Sequence, residues 1–588
     1  MDIRLTDQMI DGLSKKALVE WLGSVEDRFS YTRERNIDLR RFSPQSVQRF
    51  HDVLKPHDGK IPGVRVALRD IKVWLNAAVV GADKAVLKST QSFSGLVFEY
   101  LKTKVTNHWL FKKDDGRDVW RAFYAGAVKF HPKEVSRDSV IPARTSITLY
   151  FVEFGQVGST TERFEDDDVK GMNVVEALRK RGYVAPSEDL LNEYATLLTK
   201  FGLVHDKIGK QFLAVGIGTE NVDDERWNSK TFYLDADGEP SRVVVDVLSE
   251  TDQKKGRGDS EGKFDPDFWN KESLLSSKTD KNLPKPVDDA DADGAAEAPS
   301  VEVPLYPTLP VFDLRRHTRL RVHAAHLAEY VYDKTMGARL ILPKEVNDLV
   351  GLLVSEQGEF RDIVKGKGGG AVILCAGPAG CGKTLTAEVY SEVMEKALYS
   401  VQCSQLGTDE VKLEAELLKV FDRAQRWGAI LLLDEADVYV RSRGIDLQQN
   451  AIVGVFLRVL EYYAGVLFMT TNRSDLVDDA ITSRCLARID YEVPTPEDQK
   501  QIWFVLASVS GMNVPEATID AIVLKWPRLS GRDVKQLLKL SSRVMKAKGE
   551  KALSIETVTF VKRFKPTPGN DQTTMAATSK RLVASEPK

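Results

Sequence analysis

Cysteine is scarce in this chain of 588 residues: four in all, Cys375, Cys381, Cys403 and Cys485. The first 374 residues therefore have no disulfide framework, and with no C-x-x-C pair a structural zinc site of that kind is excluded. Reduced thiols fit a cytoplasmic location. Long apolar runs are missing as well. The longest, such as Ala371–Cys375 and Ala429–Leu433, have the length of buried strands and fall far short of the ~20 residues that span a bilayer. The opening stretch MDIRLTDQMIDGLSKK has no apolar segment of a secretion signal and reads as a helix. No histidine follows His326, and no H-E-x-x-H metalloprotease motif occurs. A formal net charge of −3 gives no global bias toward nucleic acid or anionic membrane, although it leaves room for a local basic patch.

What is present is an ordinary globular composition, 42% hydrophobic and 29% charged. A chain of this length divides into about two to four domains. Residues 1–250 mix helical and strand patterns and read as an α+β domain without a catalytic motif. Helical spacing runs through Asp70–Val105. Ser146–Phe154 (SITLYFVEF) reads as a strand, and Thr231–Val247 as a hairpin turning at DADGEP. Residues 251–304 hold DDADADGAA between prolines and read as a disordered acidic linker, with a short sticky element at Phe264–Trp269. From 305 strands and helices alternate, as in an α/β sheet. The expected divisions are a large α/β part over 305–495, a helical lid over 496–563 and a frayed tail over 564–588.

The chemistry is concentrated in that second half. Residues 371–384 read AVILCAGPAGCGKT, an apolar strand running into Gly377, Pro378, Ala379, Gly380, Cys381, Gly382, Lys383 and Thr384, followed by a helix. This is G-x-x-x-x-G-K-[ST] in the strand–loop–helix setting that the motif requires. Glycines let backbone amides turn toward a phosphate, and the helix N-terminus adds partial positive charge. Lys383 can reach β/γ-phosphate oxygens and the Thr384 hydroxyl can ligate Mg²⁺. The same helix N-terminus is expected to lower the thiol pKa of Cys381. About fifty residues on, AILLLDEAD is a buried strand ending in carboxylates. Asp434 suits a Mg²⁺ ligand and Glu435 a general base for water. A third strand, VLFMTTN, ends at Asn472, placed to sit between the acidic strand ends and orient the lytic water.

Together these motifs resemble the AAA+ ATPase superfamily, with Walker A at 377–384, Walker B at 430–435 and sensor 1 at Asn472. The run from LLLDEADVYVRSR to VLFMTTNR is similar to a subgroup of AAA-type ATPases, many of them fungal, that pair such a core with a distinct N-terminal domain. Pro310–Val354 is similar to the segment preceding the core in that subgroup. The resemblance implies a P-loop α/β sheet with a C-terminal helical lid, ATP and Mg²⁺ as cofactors, and a homo-oligomeric ring, a hexamer, with active sites between subunits. It implies Arg484, in Ser-Arg-Cys, as the arginine given to a neighbour's γ-phosphate, and Arg532, in LSGRDV, as the lid arginine facing the phosphates in cis. Arg488 is a second, weaker candidate for the neighbour's site.

Threading rings usually carry an aromatic in the first pore loop. Here SQLGTDEV (404–411) has none, with Leu406 and Gly407 in its place. Residues 441–449 are equally a second pore loop or a surface loop. The expectation is ATP-driven remodelling of a protein or complex. A nucleotide-controlled scaffold or switch is one alternative, and a clamp-loader-like, DNA-linked ATPase is another, so nucleic acid stays open as a partner. No membrane span is expected.

Overall fold

The apolar runs that carry the motifs become neighbouring strands of one sheet. The computed structural model describes residues 2–5, 35–38, 44–61, 63–79, 85–114, 117–135, 140–153, 155–220, 230–246, 302–355, 370–407, 409–443 and 447–564. The described residues form two compact units: the first runs to Ala328 apart from Gly209–Gln211, and the second begins at Glu329. The linker segment, including Phe264–Trp269, and the tail beyond Phe564 lie outside the described residues. No described helix is long and apolar enough to cross a membrane.

In the first unit an antiparallel sheet takes the order Gln156–Glu165, Arg144–Glu153, Trp120–His131, Trp109–Lys113, Tyr183–Val184. Helix Thr90–Lys104 starts at Ser89, whose hydroxyl caps the Ser92 amide. It buries Phe93, Val97 and Leu101, the i, i+4 stripe of an amphipathic helix, in the same core as Phe164 and Leu149. A buried carboxylate, Asp70, is compensated by Lys113, by Arg69 at 2.9 Å and by the Trp120 indole at 3.3 Å.

A second sheet, of seven strands, lies in this unit and corrects two expectations. Its order is Thr231–Tyr233, Ile217–Glu220, Thr318–His323, Thr308–Asp313, Ser241–Val245, Gln211–Ala214, Leu327–Glu329. Residues 305–328 therefore belong to the first unit and not to the α/β part that was expected to start at 305. Their strands pair with Ile217–Glu220 and Ser241–Val245, and Leu309, Val311, Leu320 and Val322 fill that sheet's core. The expected hairpin at 231–247 does not form, because three strands lie between its two arms. At the start of the chain, expected to be helical, Asp2–Leu5 is a strand paired antiparallel with Arg35–Asp38, and the rest of that opening stretch lies outside the described residues.

The second unit holds a parallel sheet in the order Leu398–Gln402, Ile430–Asp434, Val466–Thr471, Ala371–Ala376, Ala487–Asp490. Helices cover a parallel sheet on both faces, so its strands read as continuous apolar runs. All six residues of Ala371–Ala376 and of Val466–Thr471 are buried. Parallel strands bring their C-terminal ends to one edge, and the first strand lies inside the sheet beside the fourth, the arrangement that opens a crevice at that edge. Four helices follow: Pro496–Val509, Glu516–Lys525, Gly531–Lys548 and Ile555–Lys562. They share a core of Trp503, Ile519, Ile522, Val534, Leu537 and Val558. Three of the four start at side-chain caps, on Thr495, Ser530 and Ser554.

One buried histidine makes the first unit acid-sensitive. His323 is fully buried; its Nδ1 accepts from the Ala325 amide at 3.3 Å and its Nε2 has no partner. Burial, with the neighbouring His326 and nearby cations, pushes its pKa down to about 3. The unfolded chain takes up a proton near pH 6.5 and the folded one does not until about 3. This group therefore removes stability as pH falls below 6.5, by about 1 kcal/mol per unit. Denaturant melts of His323→Gln should show a flatter pH dependence between 6.5 and 4 than the parent; identical slopes would contradict this.

Candidate functional site

The site is built where three strand ends converge. Ala371–Ala376 runs straight into the glycine-rich loop, and helix Lys383–Val393 begins at Gly382. Gly377 has φ +140°, and a Cβ there would lie 2.2 Å from the Tyr491 carbonyl oxygen. The turn needs glycine for its backbone angle and for the close approach. Gly380 has φ +84°, and its Cβ would lie 2.7 Å from the Arg532 Cβ and 2.9 Å from the Ser530 hydroxyl. The Arg532 amide donates to the Gly380 carbonyl at 3.3 Å. The loop is thus packed against the N-terminus of helix Gly531–Lys548, and the lid closes one side of the crevice.

Lys383 is buried, 6% exposed. Its ammonium donates to the carbonyls of Gly377 and Pro378, both at 2.7 Å, and to Asn472 Oδ1 at 2.9 Å. Burial pulls its pKa below the usual lysine range, opposed by Cys381 and assisted by the Arg532 cation. Thr384 Oγ1 donates to Asp434 Oδ1 at 3.0 Å. Thr470 Oγ1 donates to the same oxygen at 2.6 Å and accepts from the Glu435 amide at 3.0 Å. Asp437 Oδ1 accepts from the Thr471 hydroxyl and, at 3.1 Å, from the Asn472 amide. Glu435 is exposed at the strand end with φ +55°.

The structure therefore brings Gly377, Pro378, Lys383 and Asn472 together, joins Thr384 to Asp434, and sets Arg532 against Gly380. The strand that leads into Asn472, Val466–Thr471, lies between the P-loop strand and the strand ending at Asp434. Arg484 is elsewhere: it donates to the Ala480 carbonyl at 3.2 Å and approaches Glu461 at 3.9 Å. Arg488 is engaged with Asp490 and the Ser474 carbonyl. Cys381 departs from expectation, since burial pushes its thiol up in spite of the nearby Lys383. Leu406 is buried; Tyr439 Oη lies 2.8 Å from both the Cys403 and Gly407 carbonyl oxygens and shares its one proton between them.

The sequence reading passed over Thr470, Thr471 and Asp437. Two threonines inside a fully buried strand were a usable signal, because buried hydroxyls need partners. Nothing marked Tyr491, whose carbonyl backs Gly377.

The loop suits a phosphate chain. Among the described residues, the amides of Gly380, Cys381 and Gly382 donate to no acceptor, and successive free amides with a lysine form an anion cradle. Thr384 and Asp434 supply the hydroxyl and carboxylate oxygens that a small hard cation prefers.

Comparison with known proteins agrees. Residues 373–493 match the family described as "ATPase family associated with various cellular activities (AAA)". Residues 373–493 thus form an AAA-type domain within the second unit, a P-loop α/β fold, and ATP with Mg²⁺ fits that family. A "Mitochondrial sorting homolog" of Caenorhabditis elegans is 30% identical over 179 residues, 29% of this chain and 52% of that protein. "ATP-dependent zinc metalloprotease FtsH 2" of Salinibacter ruber is 26% identical over 228 residues, 35% of this chain and 33% of that one. "Fidgetin-like protein 1" of Xenopus laevis is 27% identical over 175 residues, 28% of this chain and 46% of its own length. This chain spans about half or less of each of these relatives.

Two substitutions test the loop geometry. Gly377→Ala and Gly382→Ala both force alanine into positive φ, at +140° and +100°, a strain of about 1–3 kcal/mol each. Only the first also meets a backbone oxygen; at Gly382 nothing lies within 4 Å. Denaturant melts should show the larger loss for Gly377→Ala, and equal losses would contradict the packing described.

Proposed function

We propose that this chain is an ATPase that couples Mg·ATP hydrolysis to remodelling of a protein or complex, in a homo-oligomeric ring. The observation that carries the reading is the joint grip of Lys383 on the P-loop carbonyls and Asn472, beside the 3.0 Å contact between Thr384 and Asp434. It places a cation, a hydroxyl, a carboxylate and an amide side chain around one crevice.

In this reading the amides of 380–384 and the Lys383 ammonium bind the phosphates, with two lysine donors exchanging carbonyls for phosphate oxygens. Thr384 and Asp434 would hold the Mg²⁺, which would neutralise charge on the phosphate oxygens. Glu435 accepts the proton of the attacking water, and Asn472 orients that water. Arg532 faces the phosphates from the lid of the same chain. Arg484 serves a neighbouring subunit's γ-phosphate. Its in-chain partners, the Ala480 carbonyl and Glu461, lie outside the phosphate site, which suits action in trans. Arg488 is already committed to Asp490. The family's rings support assembly.

A second reading, a nucleotide-controlled switch that hydrolyses slowly, is favoured by one observation. Leu406, at the place of the pore-loop aromatic, is buried, 6% exposed, with its flanking carbonyls tied to Tyr439, and so offers no grip on a threaded chain.

ATPase rate against protein concentration, with mass photometry, separates the readings. The ring predicts a specific rate that rises with a ring-sized species. Glu435→Gln and Arg484→Ala should each lower it by about 100-fold or more, and mixing the two should restore part of it. A monomer with a concentration-independent rate and a fully active Arg484→Ala would remove the ring reading.

A further inference from the structure

We propose that Thr470 is the positioning residue for the hydrolytic glutamate, a role that rests on the ATPase reading of the site. Glu435 occupies the left-handed backbone region, φ +55°, where side chains other than those of Gly, Asn and Asp are uncommon. Such a conformation persists only where the surroundings hold it.

Here one residue holds it. Thr470 Oγ1 accepts from the Glu435 amide at 3.0 Å and donates to Asp434 Oδ1 at 2.6 Å. The Thr470 carbonyl accepts from the Ala436 amide at 2.8 Å. Thr470 thus grips three consecutive positions of the acidic run. It is 2% exposed, in a strand whose apolar members Val466, Leu467, Phe468 and Met469 are fully buried. A hydroxyl so placed has its two roles assigned without competition from water: its hydrogen goes to the carboxylate, and a lone pair is left for the Glu435 N–H. The same oxygen therefore sets both the Asp434 carboxylate and the backbone from which Glu435 projects. The spacing between the metal-side carboxylate and the base is thus set by one buried side chain.

Thr470→Val removes the hydroxyl at almost unchanged shape, Thr470→Ala removes it with no steric demand, and Thr470→Ser keeps it. In the full chain at saturating Mg²⁺, Val and Ala should lower kcat by about 10- to 100-fold. KM for ATP and the affinity for a fluorescent ADP analogue should stay within about twofold, as for a change in positioning alone. Ser should return kcat to within about threefold of the parent. The proposal is overturned if Val and Ala keep the parental kcat, or if Ser is no better than they are. It is also overturned if their loss of kcat is confined to subsaturating Mg²⁺, since the hydroxyl would then act through Asp434 alone. Glu435→Gln, run in parallel, separates the two levels. If the parent does not hydrolyse ATP, or Glu435→Gln matches it, the ATPase reading falls and this proposal falls with it. If Glu435→Gln is inactive while Thr470→Val and Thr470→Ala keep the parental kcat, only the role of Thr470 is lost.

Discussion

One carboxylate oxygen organises the second unit. Asp434 Oδ1 accepts from Thr384, on the helix after the P-loop, and from Thr470, on the neighbouring strand. Hydrogen bonds to a charged group contribute about 1.5–3 kcal/mol each, and leaving such a group unpaired costs more. Three elements are therefore locked by a group that the chemistry also requires. The parallel sheet makes this possible, because only a shared C-terminal edge lets the ends of Ala371–Ala376, Ile430–Asp434 and Val466–Thr471 meet.

The lid depends on the same corner. Gly380 allows the P-loop to lie directly on Ser530 and Arg532, the cap and first turn of helix Gly531–Lys548. Nothing larger than hydrogen fits between them, so a ligand that reshapes the loop must move against the helix start. The lid's own core around Trp503 and Leu537 is continuous, and closely packed cores transmit such displacements instead of absorbing them. The P-loop and the start of that helix touch directly, with no intervening element.

How much was legible follows from what each feature depends on. The P-loop, the acidic strand and Asn472 were legible because each is a local pattern: an apolar strand followed by glycines, carboxylates or an amide. The helix start at Ser530–Asp533 was legible for the same reason. The boundary near residue 305 was not, because the strands at 308–323 look like any others until their partners, strands near 217 and 241, are known. Pairing over such sequence distances leaves no local mark. The false hairpin at 231–247 is the same failure, since turn residues announce a turn but not which strand returns beside it. The thiol of Cys381 was misjudged because helix position is written in sequence and burial is not. Thr470 and Asp437 went unread because their value lies in contacts across strands.

The central claim is that Thr384 and Asp434 form a metal-binding pair inside a nucleotide site. The direct test is the affinity of the full chain for a fluorescent ATP analogue, with and without Mg²⁺, for the parent and for Asp434→Asn. The account predicts that Mg²⁺ tightens binding to the parent by about tenfold or more, the worth of roughly 1.4 kcal/mol, and that Asp434→Asn loses most of that gain while still binding the metal-free nucleotide. Affinity that ignores Mg²⁺ in the parent, or an undiminished Mg²⁺ effect in Asp434→Asn, would contradict it.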